Sequence, residues 1–175
     1  MRSFIELIAF MLAVLMLTAC GFHLRGQADM PFKTLYLKTE NPGSPFVAEL
    51  RRSMEANHVQ LLNTPEHADV VLDIVSESSE KQILTLNGSG QVNEFHLVYR
   101  VSLRAYDDKQ QDWIPAEVME QYRDFSYNDT QILAKESEEA LLNQSMRSDM
   151  VQQIVRRLSR AKPQPASGEP KTENK

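Results

Sequence analysis

Twelve residues of strict alternation constrain the fold of this chain more than any other feature. Between Phe95 and Tyr106 every second residue is apolar or aromatic: Phe95, Leu97, Tyr99, Val101, Leu103 and Ala105. The residues between them include His96, Arg100 and Arg104. A two-residue period is typical of a β-strand with one face buried and the other in water. The chain must therefore build a sheet and cover one of its faces.

Shorter patterns predict further strands around this one. They lie at 34–37, 59–62, 69–86 and 114–127. The third weakens over 76–82 and ends at Asn87-Gly88, a strong hairpin signal. The alternation of the last slips near Glu120, which predicts a bulge or an edge position there.

Two helices are predicted from apolar spacing and end signals. Ser44-Pro45 is typical of a helix start, and the helix over 45–57 is expected to close at Asn57 in a left-handed conformation. A longer helix is predicted over 136–160, with an apolar stripe of Leu142, Met146, Met150, Ile154 and Leu158. Three glutamates near its start and Arg156, Arg157 and Arg160 near its end complement the helix dipole. We expect an α+β fold with two helices packed on one face of a mostly antiparallel or mixed sheet of about four strands.

The N-terminus is typical of a bacterial lipoprotein signal peptide. Arg2 supplies a positive charge, and the apolar run over 7–17 is too short to span a membrane, which takes about 20 residues. It leads into Leu17-Thr18-Ala19-Cys20, which resembles a lipobox. We therefore predict that residues 1–19 are removed and that Cys20 carries a diacylglycerol, rather than being a buried inert thiol. Gly21 after the cysteine implies sorting to the outer membrane.

Composition limits the rest of the chain. Residues 161–175 carry three prolines and no large apolar side chain, so we predict a disordered tail after a single domain at 20–160. The net charge of −5 gives no reason to expect nucleic acid, and an anionic ligand would need a local basic cluster. One cysteine and four scattered histidines indicate neither a disulfide nor a metal site. No catalytic or phosphate-binding motif is present, so we expect neither an enzyme nor a cofactor.

Three short motifs resemble one family. Cys20-Gly21-Phe22-His23-Leu24-Arg25 is similar to the mature N-terminus of the lipopolysaccharide-assembly lipoproteins called LptE. Asn93-Glu94-Phe95-His96-Leu97 resembles the family's strand opening, and the segment ending Leu133-Ala134-Lys135 is also similar. The resemblance covers about 20–160, and the family's two helices on a sheet match the predicted fold.

The resemblance implies a function based on surface. Such a protein plugs the lumen of the outer-membrane β-barrel LptD from the periplasmic side, helps assemble it, and binds lipopolysaccharide in transit. Lys135 matches the family's lipopolysaccharide-contacting lysine in the loop before the last helix. The family's second basic contact, an arginine before the Asn-Gly turn, is Leu86 here, and four other cations are candidates to replace it: Lys81, Arg100, Arg104 and Arg123.

Other interpretations of these residues remain open. Without the resemblance, Lys135 is a solvated loop lysine, and Arg100 and Arg104 could pair across strands with Asp73 or Glu120. The alternative function is that of another outer-membrane lipoprotein, a scaffold or a small-ligand carrier, which a closed ligand cavity would favour. A hydrolase is a more distant third.

Overall fold

A computed structural model of the protein describes residues 29–165, so the signal peptide, Cys20 and residues 166–175 lie outside the described residues. The elements in chain order are β1 (Thr34–Thr39), α1 (Pro45–Ala56), β2 (Gln60–Leu62), β3 (Val70–Leu86), β4 (Val92–Tyr106), β5 (Asp112–Ser126), a 3-10 turn (Asp129–Gln131) and α2 (Ile132–Leu158). No helix in this part of the chain is both long and apolar enough to cross a membrane.

The sheet is mixed and has the spatial order β2-β1-β3-β4-β5. Strand β1 runs parallel to β2 and β3, whereas β3, β4 and β5 form an antiparallel meander. The α+β class is confirmed, and the sheet has five strands where about four were expected. Helix α1 lies between the parallel strands β1 and β2 in the chain, because a parallel pair needs a crossover.

The alternation of β4 divides the sheet into two faces. Leu97, Val101 and Leu103 are buried on what we call the helix face, which α1 and α2 cover. Phe46 of α1 meets Tyr99 at 6.3 Å between ring centroids. The predicted stripe of α2 packs into the same core, with Met146, Met150, Ile154 and Leu158 fully buried and Leu142 partly buried. The opposite side, the open face, carries Arg100 and Arg104.

A bulge explains the irregular pattern of β3, but not the slip of the pattern near Glu120 in β5. Strand β3 is continuous, but an extra residue, Val75, shifts its register between Ile74 and Ser76 and leaves Val75 58% exposed. Strand β5 is an edge strand, as one of the two predicted alternatives had it. Its irregularities lie between Asp112 and Glu117, not near Glu120, where the pairing with β4 is regular.

The helix ends differ from the predictions in two places. Ser44 caps α1 as expected by accepting a hydrogen bond from the Val47 N–H. Asn57 is not left-handed, because its side chain donates to the Ser53 carbonyl and its own N–H still bonds helix carbonyls; the positive φ falls on His58. Helix α2 begins at Ile132, four residues before the predicted start. The prediction missed the first turn because no residue in it is buried and the apolar stripe does not reach it.

The turn and tail predictions also shift. Asn87-Gly88 begins a five-residue loop over 87–91, in which the Asn87 side chain accepts the N–H groups of Ser89 and Gln91. Gly90 takes a positive φ of 82° there, which glycine tolerates without a Cβ clash. In the predicted tail, Gln164 exchanges two backbone hydrogen bonds with Asp112 of β5. The ordered chain therefore continues past residue 160.

Candidate functional site

Four of the five predicted cations lie on strands and separate onto the two faces of the sheet. The register pairs Lys81 of β3 and Arg123 of β5 with Leu97, so both project onto the helix face. Two strand spacings put their backbones about 10 Å apart. Arg100 and Arg104 alternate with buried residues on β4 and project onto the open face. Only part of the predicted set is therefore brought together.

Lys81 is positioned between the sheet and the long helix. Its Nζ lies 2.7 Å from the Glu139 carboxylate on α2 and 5.0 Å from the centroid of the Phe95 ring. The side chain is 43% exposed. Lys81 thus keeps an open side toward solvent while the acid and the aromatic ring hold its ammonium in place.

Lys135 does not lie in a loop, as the family resemblance implied, but in the first turn of α2. Its Nζ lies 2.8 Å from the Glu138 carboxylate and donates to the Ser126 hydroxyl at 3.2 Å. The side chain is only 15% exposed, which also rules out the solvated lysine. Lys135 therefore joins the start of α2 to the end of β5.

Arg123 is the third cation that faces α2, and we call Lys81, Arg123 and Lys135 the distal cluster. The Arg123 guanidinium donates to Asp149 of α2 and to the neighbouring Tyr122 carbonyl, both at 2.8 Å. Its partner Asp149 lies about 15 Å along the helix from Glu139, the partner of Lys81. All three cations of the distal cluster are thus paired with acids of one helix. Sequence reasoning missed these acids, although the three-residue spacing of Lys135 and Glu138 could have indicated one pair.

Exposed aliphatic side chains lie at the Lys81 and Lys135 end of the distal cluster. They belong to the end of the β3–β4 hairpin and the start of α2, which lie together because Tyr127 donates to the Asn93 carbonyl and its ring packs on Phe95. Their exposures are 59% for Ile83, 46% for Leu84, 57% for Leu86, 48% for Ile132 and 80% for Leu133. This end of the molecule therefore offers both positive charge and apolar surface.

The two open-face arginines are held by ion pairs to neighbouring strands of the sheet. Arg100 lies between Glu120 at 2.6 Å and Glu80 at 3.1 Å, and these hydrogen bonds, that with Glu120 first, raise the pKa of Arg100. The predicted pairing with Glu120 is thus confirmed.

Arg104 does not pair with Asp73, which binds Lys38 instead. It contacts the buried Asp112 at 2.6 Å and stacks over Tyr106 at 4.7 Å, because the bulged start of β5 brings Asp112 beside it.

Among residues 29–165 no three histidine, cysteine or acidic side chains come together in a way that could hold a metal ion. The arrangement at the distal cluster is instead one of fixed cations beside aliphatic surface. Such a set binds anions through charge-assisted hydrogen bonds and apolar groups through burial.

Comparison with known proteins gives a consistent result. The family profile described as LptE, Lipopolysaccharide-assembly, matches residues 32–158. The LPS-assembly lipoprotein LptE of Yersinia enterocolitica is 31% identical over 161 residues, which cover 90% of this chain and 77% of that protein. That of Pectobacterium atrosepticum is 29% identical, over 84% of this chain and 80% of the relative.

Solved structures show the same fold. An uncharacterized lipoprotein B from Nitrosomonas europaea matches with a TM-score of 0.69 and 35% identity, over 79% of this chain and 90% of that one. The rare lipoprotein B from Shewanella oneidensis matches with a TM-score of 0.64 and 23% identity, over 71% and 92% of the two chains, and supports the fold alone.

Proposed function

Because this chain belongs to the LptE lipopolysaccharide-assembly family, we propose that it is a non-enzymatic outer-membrane lipoprotein that plugs and helps assemble the LptD β-barrel and binds lipopolysaccharide. Its anchor would be the lipidated Cys20, on the periplasmic side. The names of the relatives, which describe lipoproteins of lipopolysaccharide assembly, support the anchor and the role.

The charges of the open face support the proposed role as a plug of the barrel lumen. Its charges are neutralised within the sheet by ion pairs between strands: Lys38 with Asp73, Arg100 with Glu80 and Glu120, and Arg104 with Asp112. A hydrogen bond also joins His96 to Asp124. The lumen of a large outer-membrane barrel is polar and hydrated. A face whose charges are already paired can enter such a lumen without leaving uncompensated ions.

The distal cluster supports lipopolysaccharide binding and is the observation that carries the proposal. Lipopolysaccharide combines phosphates with acyl chains. Lys81 and Lys135 supply ammonium groups, and the neighbouring Ile83 and Leu133 are 59% and 80% exposed. Leu86 at the position of the family's arginine makes this end more apolar. Contact with acyl chains would therefore replace part of the binding free energy that the arginine would have supplied.

Co-purification tests the plug. We expect the full-length protein, extracted from membranes in mild detergent, to retain a large outer-membrane barrel at one to one, identified by mass spectrometry. A Cys20→Ala variant, unable to accept the lipid, serves as the control for anchoring. Recovery of the wild-type protein without a barrel would contradict the plug and favour the scaffold or small-ligand carrier.

Charge variants of the distal cluster test ligand binding. Replacing Lys81 and Lys135 together by glutamine is expected to weaken lipopolysaccharide binding about tenfold, because two charge-assisted contacts are lost at a partly exposed site. Glu138→Gln with Glu139→Gln should instead strengthen it, since each lysine loses its competing carboxylate. Binding is measured by competition with a labelled lipopolysaccharide.

The matched control for these variants is Arg100→Gln, which removes a cation from the open face. We expect it to bind lipopolysaccharide like the wild type. Equal affinity of the lysine, glutamate and arginine variants would show that the distal cluster is not the ligand site.

A further inference from the structure

An open groove lies at the other end of α2, where the helix meets the start of β5. Its volume is about 450 Å³. The floor is apolar and comes from Trp113, Ile114 and Pro115, while Arg156 and Arg160 line the helix side. The groove belongs to neither the distal cluster nor the open face.

The charge of this groove is positive and partly unpaired. Arg157 is held by Glu117, which the groove also contains. Arg156 and Arg160 are exposed and form no ion pair with any described residue from 29 to 165. The helix dipole favours cations at a C-terminus, but three arginines around one aromatic floor exceed what a helix end requires. In a chain of net charge −5, this is a local basic cluster.

Trp113 contributes a hydrogen-bond donor that no described residue satisfies. Its ring packs edge-to-face on Phe32, with centroids 5.6 Å apart and planes at 85°. Its indole Nε1 is buried and has no hydrogen-bond partner, which is true of no other side-chain nitrogen or oxygen in the described part of the chain. An unpaired buried donor is costly, so an acceptor supplied from outside the described residues would stabilise this position.

The groove also lies where the N-terminal segment enters the domain. Phe32, in contact with Trp113, is twelve residues after Cys20, and twelve residues span at most about 40 Å. If Cys20 carries the lipid of the proposed function, this end of the domain is held within that distance of the membrane surface.

We propose that the groove binds the phosphate of an anionic phospholipid headgroup in the membrane that holds Cys20; the proposal rests on the lipid anchor of the proposed function. The free guanidiniums of Arg156 and Arg160 match phosphate oxygens in pairs. Trp113 suits the headgroup level, where an amphipathic ring meets both water and acyl chains. The headgroup contact would fix the orientation of the domain, which a flexible lipid tether alone leaves free.

Trp113 provides the assay, since it is the only tryptophan of the chain. The full-length processed protein in nonionic detergent is titrated with short-chain phosphatidylglycerol, short-chain phosphatidylcholine or inorganic phosphate while tryptophan emission is recorded. We expect a saturable change with phosphatidylglycerol at concentrations at least tenfold below those of the other two. An equal response to inorganic phosphate would overturn the lipid headgroup as the ligand, and an equal response to phosphatidylcholine would overturn the preference for anionic lipid.

Variants locate the effect. Arg156→Gln with Arg160→Gln should weaken phosphatidylglycerol binding about thirtyfold, from about 1 kcal/mol per basic residue near an anionic surface. Arg51→Gln with Arg52→Gln removes two α1 arginines outside the groove and should leave binding unchanged. Undiminished binding by the groove variant would overturn the proposal. Retention of the barrel by that variant is expected, so failure here is distinguishable from failure of the plug.

Discussion

Replacing Phe46 with alanine is expected to lower the free energy of unfolding by about 4 kcal/mol, the typical cost of removing a buried aromatic ring. Phe46 is fully buried and packs on Tyr99, at the place where α1 meets the sheet. The core around it is closely packed, so removal of the ring leaves a cavity. Since domains of this size are stable by about 5–15 kcal/mol, the variant should lose between about a quarter and about four fifths of its stability.

Urea unfolding followed by circular dichroism measures this loss. Tyr122→Ala is the matched control, because Tyr122 is an aromatic residue of the sheet that is 61% exposed. It should cost less than about 1 kcal/mol. Similar losses for the two variants would mean that α1 does not pack on the sheet through Phe46.

Replacing Arg104 with alanine should cost about 3 kcal/mol of stability, although the sequence presents Arg104 as a ligand candidate. Its partner Asp112 has a side chain that is only 3% exposed, so the carboxylate would lose its arginine contact where water can replace little of it. The stacking of Arg104 over Tyr106 is lost as well. Thermal and urea unfolding at neutral pH measure the change.

Arg100→Ala is the internal comparison, on the same strand and the same face. Its partners Glu80 and Glu120 have side chains that are 46% and 45% exposed, so water can solvate them when the arginine is removed. We expect a loss below about 1 kcal/mol. If the two arginine variants unfold alike, the burial of Asp112 has no energetic consequence and Arg104 returns to the set of ligand candidates.

The sequence predicted those features that depend on a repeating pattern. The alternation of β4 identified the buried face, and the stripe ending in Met150, Ile154 and Leu158 identified the face of α2 that packs on it. Strand β2 is only three residues long, too short for its pattern to be assigned firmly, and bulges break the period of β3 and β5.

The pairings of the candidate site could not be predicted in the same way. Which acid meets Lys81 or Arg104 depends on strand register and on the angle of α2, which no local pattern encodes. The groove of Trp113 and Arg156 joins residues more than forty positions apart. The arginines alone indicated only a helix end, and the aromatic floor that makes them a candidate site came from the tertiary structure.

Every cation of the distal cluster already has a carboxylate partner, so the ligand binding proposed above would be an exchange reaction. An incoming anion must displace Glu138, Glu139 or Asp149, so a singly charged ion such as chloride gains little, whereas a ligand with several phosphates can displace several carboxylates at once. When the ligand leaves, the displaced acids return to the cations. The carboxylates would thus favour release of the ligand, which suits a protein that passes its ligand on rather than one that stores it.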